Sequence, residues 1–411
     1  MLEHLHLRHV GPAPEMVFDF ARRCNLLTGD NGLGKSFVLD VAWWSLTRTW
    51  ARRPVVPAPP PVEPSIAYRY TKLTPSPYEK TSHYDRRAES WPTDPGRPAI
   101  PGLVLYAQVD GGFSVWDPAR NYWRKQGAPR PPAYLFAADA VWDGNDLCEG
   151  LVRDWASWQR EENGAFQMLR RLLVVLSPGP GELLAPGELR RISLDDPRDH
   201  PTLRMPYGQD VPLVHASAGM RRITALAYLL VWAWREHEAA CALLGQAPAR
   251  EVVFLVDEIE AHLHPRWQRA ILPALLSVVN ELSAGPRVQL LVATHSALVL
   301  GSMEDSFDAA ADLLYDLELT TRGVEARSLP FAPLGTADEW LVSDAIGLAS
   351  PRGSRSQEAL LGDLSAAWND PALDAAGYAL LSQRLAESSL PETDPTRSRW
   401  LALGRRRGFT P

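Results

Sequence analysis

Eight consecutive residues, Gly29-Asp30-Asn31-Gly32-Leu33-Gly34-Lys35-Ser36, fit the pattern G-x-x-x-x-G-K-[ST] at every fixed position. A turn of this composition between a strand and a helix gathers backbone N–H groups around an anion, and the helix dipole adds positive potential there. Gly29, Asn31, Gly32, Gly34, Lys35, Ser36 and Phe37 are the expected phosphate-contacting set. Lys35 would reach the β- and γ-phosphates of a nucleotide, and the Ser36 hydroxyl would hold Mg²⁺. Splitting a phosphoanhydride further requires carboxylates in fixed positions. The apolar run Val252-Val253-Phe254-Leu255-Val256 ends in Asp257-Glu258. Asp257 would coordinate Mg²⁺, directly or through water, and Glu258 would polarise the attacking water. A second apolar run, Leu290-Leu291-Val292-Ala293, ends in Thr294-His295-Ser296. His295 at that strand end would hydrogen-bond the γ-phosphate and sense its presence. Finally, Ala216-Ser217-Ala218-Gly219-Met220 opens a long helical pattern. Ser217 is an N-cap candidate, and such a helix end offers donors to phosphate. It lies so far along the chain from the first loop that it could complete a site on another copy.

Elements that must carry these groups are legible around them. Cys24 to Leu27 reads as a strand feeding the glycine loop, and Phe37 to Trp44 as a buried helix. Short strands precede it at Leu2–Leu7 and Met16–Phe20. Residues 50–135, rich in Pro, Tyr and Gly, read as a β-rich lobe with long loops. The tract Pro54 to Pro64 reads as an extended connector, with peptide docking beside Arg52 and Arg53 as the alternative. Helical spacing runs through 146–176 and 217–244, and again from Pro265 to Leu282. Val252 to Val256 and Val288 to Ala293, the latter broken only by Gln289, read as buried parallel strands. A mixed tail ends in helices at Ser356–Trp368 and Ala372–Leu385. The expected division is therefore 1–48, 49–145, 146–244, 245–302 and 303–411.

The bulk composition sets limits. A chain of 411 residues, 45% hydrophobic and 22% charged, has ample material for a folded core. A formal net charge of −7 argues against a broadly basic nucleic-acid binder, though not against a local basic groove. Three scattered cysteines, Cys24, Cys148 and Cys241, show no metal-type spacing and suggest a reducing, cytoplasmic setting. The longest apolar run, Ala225 to Trp234, is about half of a membrane span.

Taken in order, these pieces resemble an ABC-type ATPase head of the SMC/RecF kind, within the wider SMC/RecF/OLD-like group. Leu26 to Ser36 resembles the first strand and Walker A segment. Ser217-Ala218-Gly219 matches the core of the ABC signature, departing from LSGGQ at Ala218 and Met220. Asp257-Glu258-Ile259-Glu260-Ala261-His262-Leu263-His264-Pro265 is similar to the Walker B and D-loop stretch, with His262 and His264 in the D-loop. His295 matches the switch histidine, and Gln108 is the candidate Q-loop glutamine, a further Mg²⁺ ligand. The resemblance implies an α/β P-loop fold: an ABC-ATPase head with a mixed or parallel core sheet, a β-rich N-terminal lobe and a helical signature lobe. It implies ATP and Mg²⁺ as cofactors and a homodimer or higher oligomer, with ATP held between Walker A of one head and Ser217 of the other.

The interval between Gly29 and Asp257 leaves no room for a long coiled coil, and no heptad run is visible. After residue 302 there is no convincing Glu plus Asp-x-Asp nuclease set. The expected partner is therefore a separate nuclease or toxin, as with the ATPase subunits of anti-phage systems such as Septu, and no membrane. The alternative is a RecF-like clamp on duplex DNA, for which Arg120, Arg124, Lys125, Arg130, Arg170, Arg171, Arg190, Arg191 and Arg405 to Arg407 are the candidate contacts.

Overall fold

The computed structural model describes residues 1–71, 78–92, 101–122, 131–281, 286–321, 323–348, 350–352 and 354–409. Arg124, Lys125 and Arg130 lie outside them. The chain divides into two units, Met1–Gly347 and Leu348–Pro411.

Alternation along the strands organises the first unit. Leu26, Phe254, Val256, Leu290 and Val292 point into one apolar cluster, while Leu27, Val253, Leu255, Leu291 and Ala293 point into another. Successive strand side chains face opposite ways, so a run that is apolar at every position must be covered on both faces. The resulting eight-stranded sheet has the order Gly323–Leu329, Asp312–Thr320, Cys24–Gly29, Arg287–Ala293, Glu251–Val256, Leu103–Ala107, Phe113–Trp116, Tyr134–Phe136. From Asp312–Thr320 to Leu103–Ala107 every pairing is parallel. Antiparallel strands close both edges. This is the α/β architecture with a mostly parallel core that the sequence indicates.

The helices Leu151–Glu161, Gly164–Val175, Ala218–Leu243 and Pro265–Glu281 cover one face. The helix Lys35–Thr47 covers the other, buried at Val38, Leu39, Val41, Ala42, Trp43 and Trp44. Over it lies a four-stranded antiparallel sheet of Glu15–Asp19, Leu2–Arg8, Ser65–Tyr70 and Tyr78–His83. Gln289, the polar interruption in its strand, is buried because it clamps the chain start. It accepts from the Leu2 amide at 2.8 Å and donates to Leu2 O at 2.7 Å.

Several elements differ from their sequence expectation. Leu103–Ala107 falls within the β-rich lobe expected over 50–135, yet it is buried throughout and pairs in parallel with Glu251–Val256. Asp312–Thr320, in the expected tail, pairs in parallel with Cys24–Gly29, and Arg23 Nε donates to Asp312 Oδ1 across that seam at 2.8 Å. The helical stretch 146–176 is two helices. Asn163 ends the first and caps the second, its side chain accepting from the amides of Ala165 and Phe166. Among the described residues the longest helix is Ala218–Leu243, with 26 residues, and no helix is long and apolar enough to cross a membrane.

The second unit holds three helices, Arg355–Asn369, Ala375–Glu387 and Pro395–Arg407, capped by Ser354, Asp374 and Asp394. The sequence reading lacked the third. Tyr378 stacks on Trp400 with ring centroids 5.0 Å apart. A Cβ at Gly404 would lie 2.1 Å from the Tyr378 hydroxyl oxygen, so only glycine lets the helices approach this closely.

Candidate nucleotide site

Parallel pairing brings four strand ends to one edge of the sheet. Gly29, Gln108, Asp257 and Thr294 each lie at or just past the C-terminal end of their strands. The Asp257 amide donates to Ala107 O and the Thr294 amide to Leu27 O, which carries the register one step past the sheet. Such an edge is where open α/β sheets bind ligands.

Gly29, Gly32 and Gly34 take φ of 123°, 83° and 102°, conformations that side chains avoid. A Cβ at Gly29 would meet Leu317 O at 2.2 Å, and one at Gly34 would meet a Pro12 ring carbon at 2.7 Å. Gly34 is the residue before the helix Lys35–Thr47, so the loop passes straight into a helix N-terminus. The Lys35 ammonium is turned back into the loop, donating to Gly29 O at 2.7 Å and Asp30 O at 2.9 Å. Burial lowers its pKa, while Glu258, Glu260, Asp30 and Asp257 act in the opposite sense.

Ser36 Oγ donates to Asp257 Oδ1 at 2.7 Å, joining two of the three candidate metal ligands from positions far apart in the chain. Both are hard oxygens, the donor class Mg²⁺ takes together with water and phosphate oxygens. Burial raises the Asp257 pKa, and the Ser36 hydrogen bond and the Arg52 charge oppose the shift. Arg52 is a residue the sequence reading missed. Its Nη2 donates to Asp257 Oδ2 at 3.3 Å and to the Tyr106 hydroxyl at 2.8 Å, and its Nε donates to Asp40 Oδ1 at 2.9 Å. Arg52 therefore belongs to the phosphate-loop framework and is not a docking side chain beside the proline tract. Burial opposes its charge, but Tyr106, Asp40 and Asp257 outweigh that and push its pKa up.

Glu258 follows with φ of 46°, in the left-handed region that costs a non-glycine residue energy and recurs at functional sites. Its carbonyl and that of Asp257 accept from Arg222 Nη2 at 3.2 and 3.1 Å, and Arg222 Nη1 donates to Val109 O at 2.8 Å. Arg222, also missed, thus fastens the helix Ala218–Leu243 to the ends of two strands. Burial lowers its pKa. At the head of that helix, Ser217 is exposed and its hydroxyl accepts from Met220 N at 3.4 Å, capping its own helix. A Cβ at Gly219 would lie 2.8 Å from His262 O, so the small residue admits the D-loop candidate segment. His262 has φ of 63°. His264 Nδ1 accepts from Arg266 N at 3.3 Å, supporting the start of the helix Pro265–Glu281. Gln108 stands beside Asp257, but its amide nitrogen donates to Ser114 Oγ at 2.9 Å. Phe37 packs its ring near Gly11. The His295 side chain is 47% exposed, open to a ligand.

Residues 24–301 match the family described as "AAA domain, putative AbiEii toxin, Type IV TA system", more than half of the chain. The chain belongs to this family. It is an AAA-domain ATPase. Within it, a stretch of 48 residues is 42% identical to the Retron Vc95 probable ATPase of Vibrio cholerae serotype O1 biovar El Tor, covering 12% of this chain and 8% of that protein. Another of 56 residues is 39% identical to the Septu protein PtuA of Bacillus mycoides (strain KBAB4), covering 13% and 7%. The chain thus matches less than a tenth of the length of either relative. Similar solved structures include the SMC head domain from Thermotoga maritima (14% identity, TM-score 0.39, 80% of this chain and 99% of that one). Others are an SMC head bound to the C-winged helix domain of ScpA (15%, 0.44, 80% and 98%) and the recombination mediator protein RecF (11%, 0.38, 80% and 98%).

Proposed function

We propose that this ATPase closes as a dimer around ATP and Mg²⁺ and regulates a separate effector, a nuclease or a toxin. The observation that carries the dimer is the state of Ser217. Ser36 and Asp257 meet within one chain, whereas Ser217, at the head of a long helix, is exposed and turned onto its own cap. A second copy can supply the missing donors to the far side of the triphosphate.

In this reading the loop amides and Lys35 hold the β- and γ-phosphates, and Ser36 and Asp257 hold Mg²⁺. When bound, the ion neutralises charge on the phosphate oxygens. Glu258 takes a proton from water as its oxygen bonds to the γ-phosphorus. The bond from that phosphorus to the bridging oxygen breaks, leaving ADP and phosphate. His295 contacts the γ-phosphate.

The short stretches shared with a Septu and a retron ATPase support the effector reading. The described arginines nominated for duplex DNA are largely engaged. Arg120 pairs with Asp117 and Glu236, Arg171 with Glu281 and Arg191 with Asp199. Arg170 lies over the Phe166 ring, and Arg407 donates to Asp370 O. The test is the mass of Glu258→Gln protein by light scattering, with and without ATP and Mg²⁺, and after recovery from its native operon. An ATP-dependent doubling with a co-purifying nuclease or toxin supports the proposal. A dimer that retains DNA and no protein favours the clamp, and a mass indifferent to ATP overturns ATP-driven dimerisation.

A further inference from the structure

Glu260 is buried, two residues beyond the candidate catalytic carboxylate, and had no role in the sequence reading. Its Oε1 accepts from the His295 backbone amide at 2.7 Å and lies 3.0 Å from His295 Nδ1. Its Oε2 accepts from Thr294 Oγ1 at 2.8 Å, and that hydroxyl in turn accepts from Ser296 N at 3.1 Å. Each hydrogen bond in the chain runs toward the carboxylate, as a buried negative charge requires. The ring nitrogen lies within ion-pair reach of the carboxylate, and the backbone amide makes the hydrogen bond to it. A second brace runs alongside. Ser296 Oγ donates to Gln268 Oε1 at 2.8 Å, and Gln268 Nε2 donates to Leu263 O at 2.9 Å. The segment 258–264 is therefore tied to residues 294–296 through the side chains of Glu260 and Gln268.

A ring that donates to a phosphate oxygen as an imidazolium has this carboxylate 3.0 Å from Nδ1 to balance its charge. We propose that Glu260 is a positioning residue for hydrolysis, holding His295 through its backbone amide and balancing the charge the ring carries when it donates to the γ-phosphate. The inference rests on His295 acting at the γ-phosphate, as proposed above. The tie to residues 258–264 adds a consequence: any movement of His262, whose carbonyl faces Gly219, is passed to the histidine.

Glu260→Gln tests this, because the amide oxygen keeps the bond from the His295 amide while the charge is removed. Steady-state ATPase of Glu260→Gln, His295→Ala and the double variant should show kcat reduced about a hundredfold or more in all three, from the lower end of general acid–base contributions upward. KM for ATP should hold, and the double variant should be no slower than His295→Ala, since coupled residues are not additive. ¹⁵N NMR of labelled histidine should show the His295 ring signals moving on addition of a non-hydrolysable ATP analogue and Mg²⁺. In Glu260→Gln that movement should be reduced. A His295→Ala enzyme with normal kcat would remove His295 from the γ-phosphate altogether. A slow His295→Ala beside a normal Glu260→Gln, or additive losses in the double variant, would overturn the role of Glu260 alone.

Discussion

At the phosphate loop each functional side chain already has a partner in its own chain: Lys35 on Gly29 and Asp30, Ser36 on Asp257, Arg52 on Asp40 and Asp257. At the head of the helix Ala218–Leu243 the situation is reversed, with Ser217 in solvent and spent on its own cap. Burial explains the contrast. Lys35 and Asp257 are out of water and cannot be left unsatisfied. Ser217 is exposed and can wait. The loop therefore binds nucleotide by exchange, as Lys35 leaves two carbonyls for phosphate oxygens and Ser36 leaves a carboxylate for metal. The helix end gains contacts without surrendering any beyond one cap.

The sharpest way to break that contrast is Lys35→Ala. Removing the only ammonium in the loop segment 29–36 leaves the phosphate charge uncompensated. ATP affinity should fall by on the order of 100-fold or more, read by titration calorimetry. Unaltered binding would show that the loop is not the phosphate site. Ser217→Arg should do the opposite, keeping nucleotide binding and removing turnover, because the bulk lies where the second copy would dock. Mixing Ser217→Arg with Lys35→Ala protein then supplies one complete composite site, and ATPase activity should reappear. If the mixture stays inactive while each variant remains folded, the site is not shared between copies.

Residues whose role depends on their immediate neighbours were legible in the sequence. The glycine loop, the acidic pair after Val256 and the histidine after Ala293 each sit at a strand end that the apolar runs announce. What stayed hidden arrives by topology. Arg52, Asp40 and Tyr106 converge through two helix turns and a strand, and nothing local to Arg52 distinguishes it from its neighbour Arg53. Glu260 was one acid in an acidic stretch until the parallel register set it under Thr294. Asn163 sits within unbroken helical periodicity, so only its cap geometry reveals the break. Asp312–Thr320 alternates polar and apolar residues toward its end, which disguised a strand that enters the core sheet.

Arg222 is the hinge of the comparison, since it fastens the open helix to the finished half of the site. Arg222→Met keeps most of the apolar stem but leaves the carbonyls of Val109 and Asp257 without that donor and Glu258 O with the Ala261 amide alone. Stability should fall by about 3 kcal/mol, measured by denaturant unfolding, and kcat should fall as Glu258 loses its brace. Arg222→Lys should recover little, because one ammonium cannot reproduce the guanidinium fork. Wild-type stability in Arg222→Met would show that the helix is held by apolar packing alone.

The smallest effect concerns the other anchor of that helix. Tyr228 donates to Asp154 Oδ2 at 2.6 Å, and burial raises the Asp154 pKa to about 6 despite that bond. With the folded value above the unfolded one, Asp154 contributes stability that is fully present below the unfolded pKa, near 4, and is lost as pH rises through about 6. At neutral pH the native state therefore holds a charge it would sooner neutralise. Asp154→Asn still accepts from Tyr228 without that charge, so it should gain on the order of 1 kcal/mol at pH 8 and flatten the stability curve between pH 4 and 6. ATPase activity should not change, because the anchor lies away from the strand ends. A loss of stability at pH 8 would mean that the ionised carboxylate is the better acceptor here and that the helix is held in part by charge.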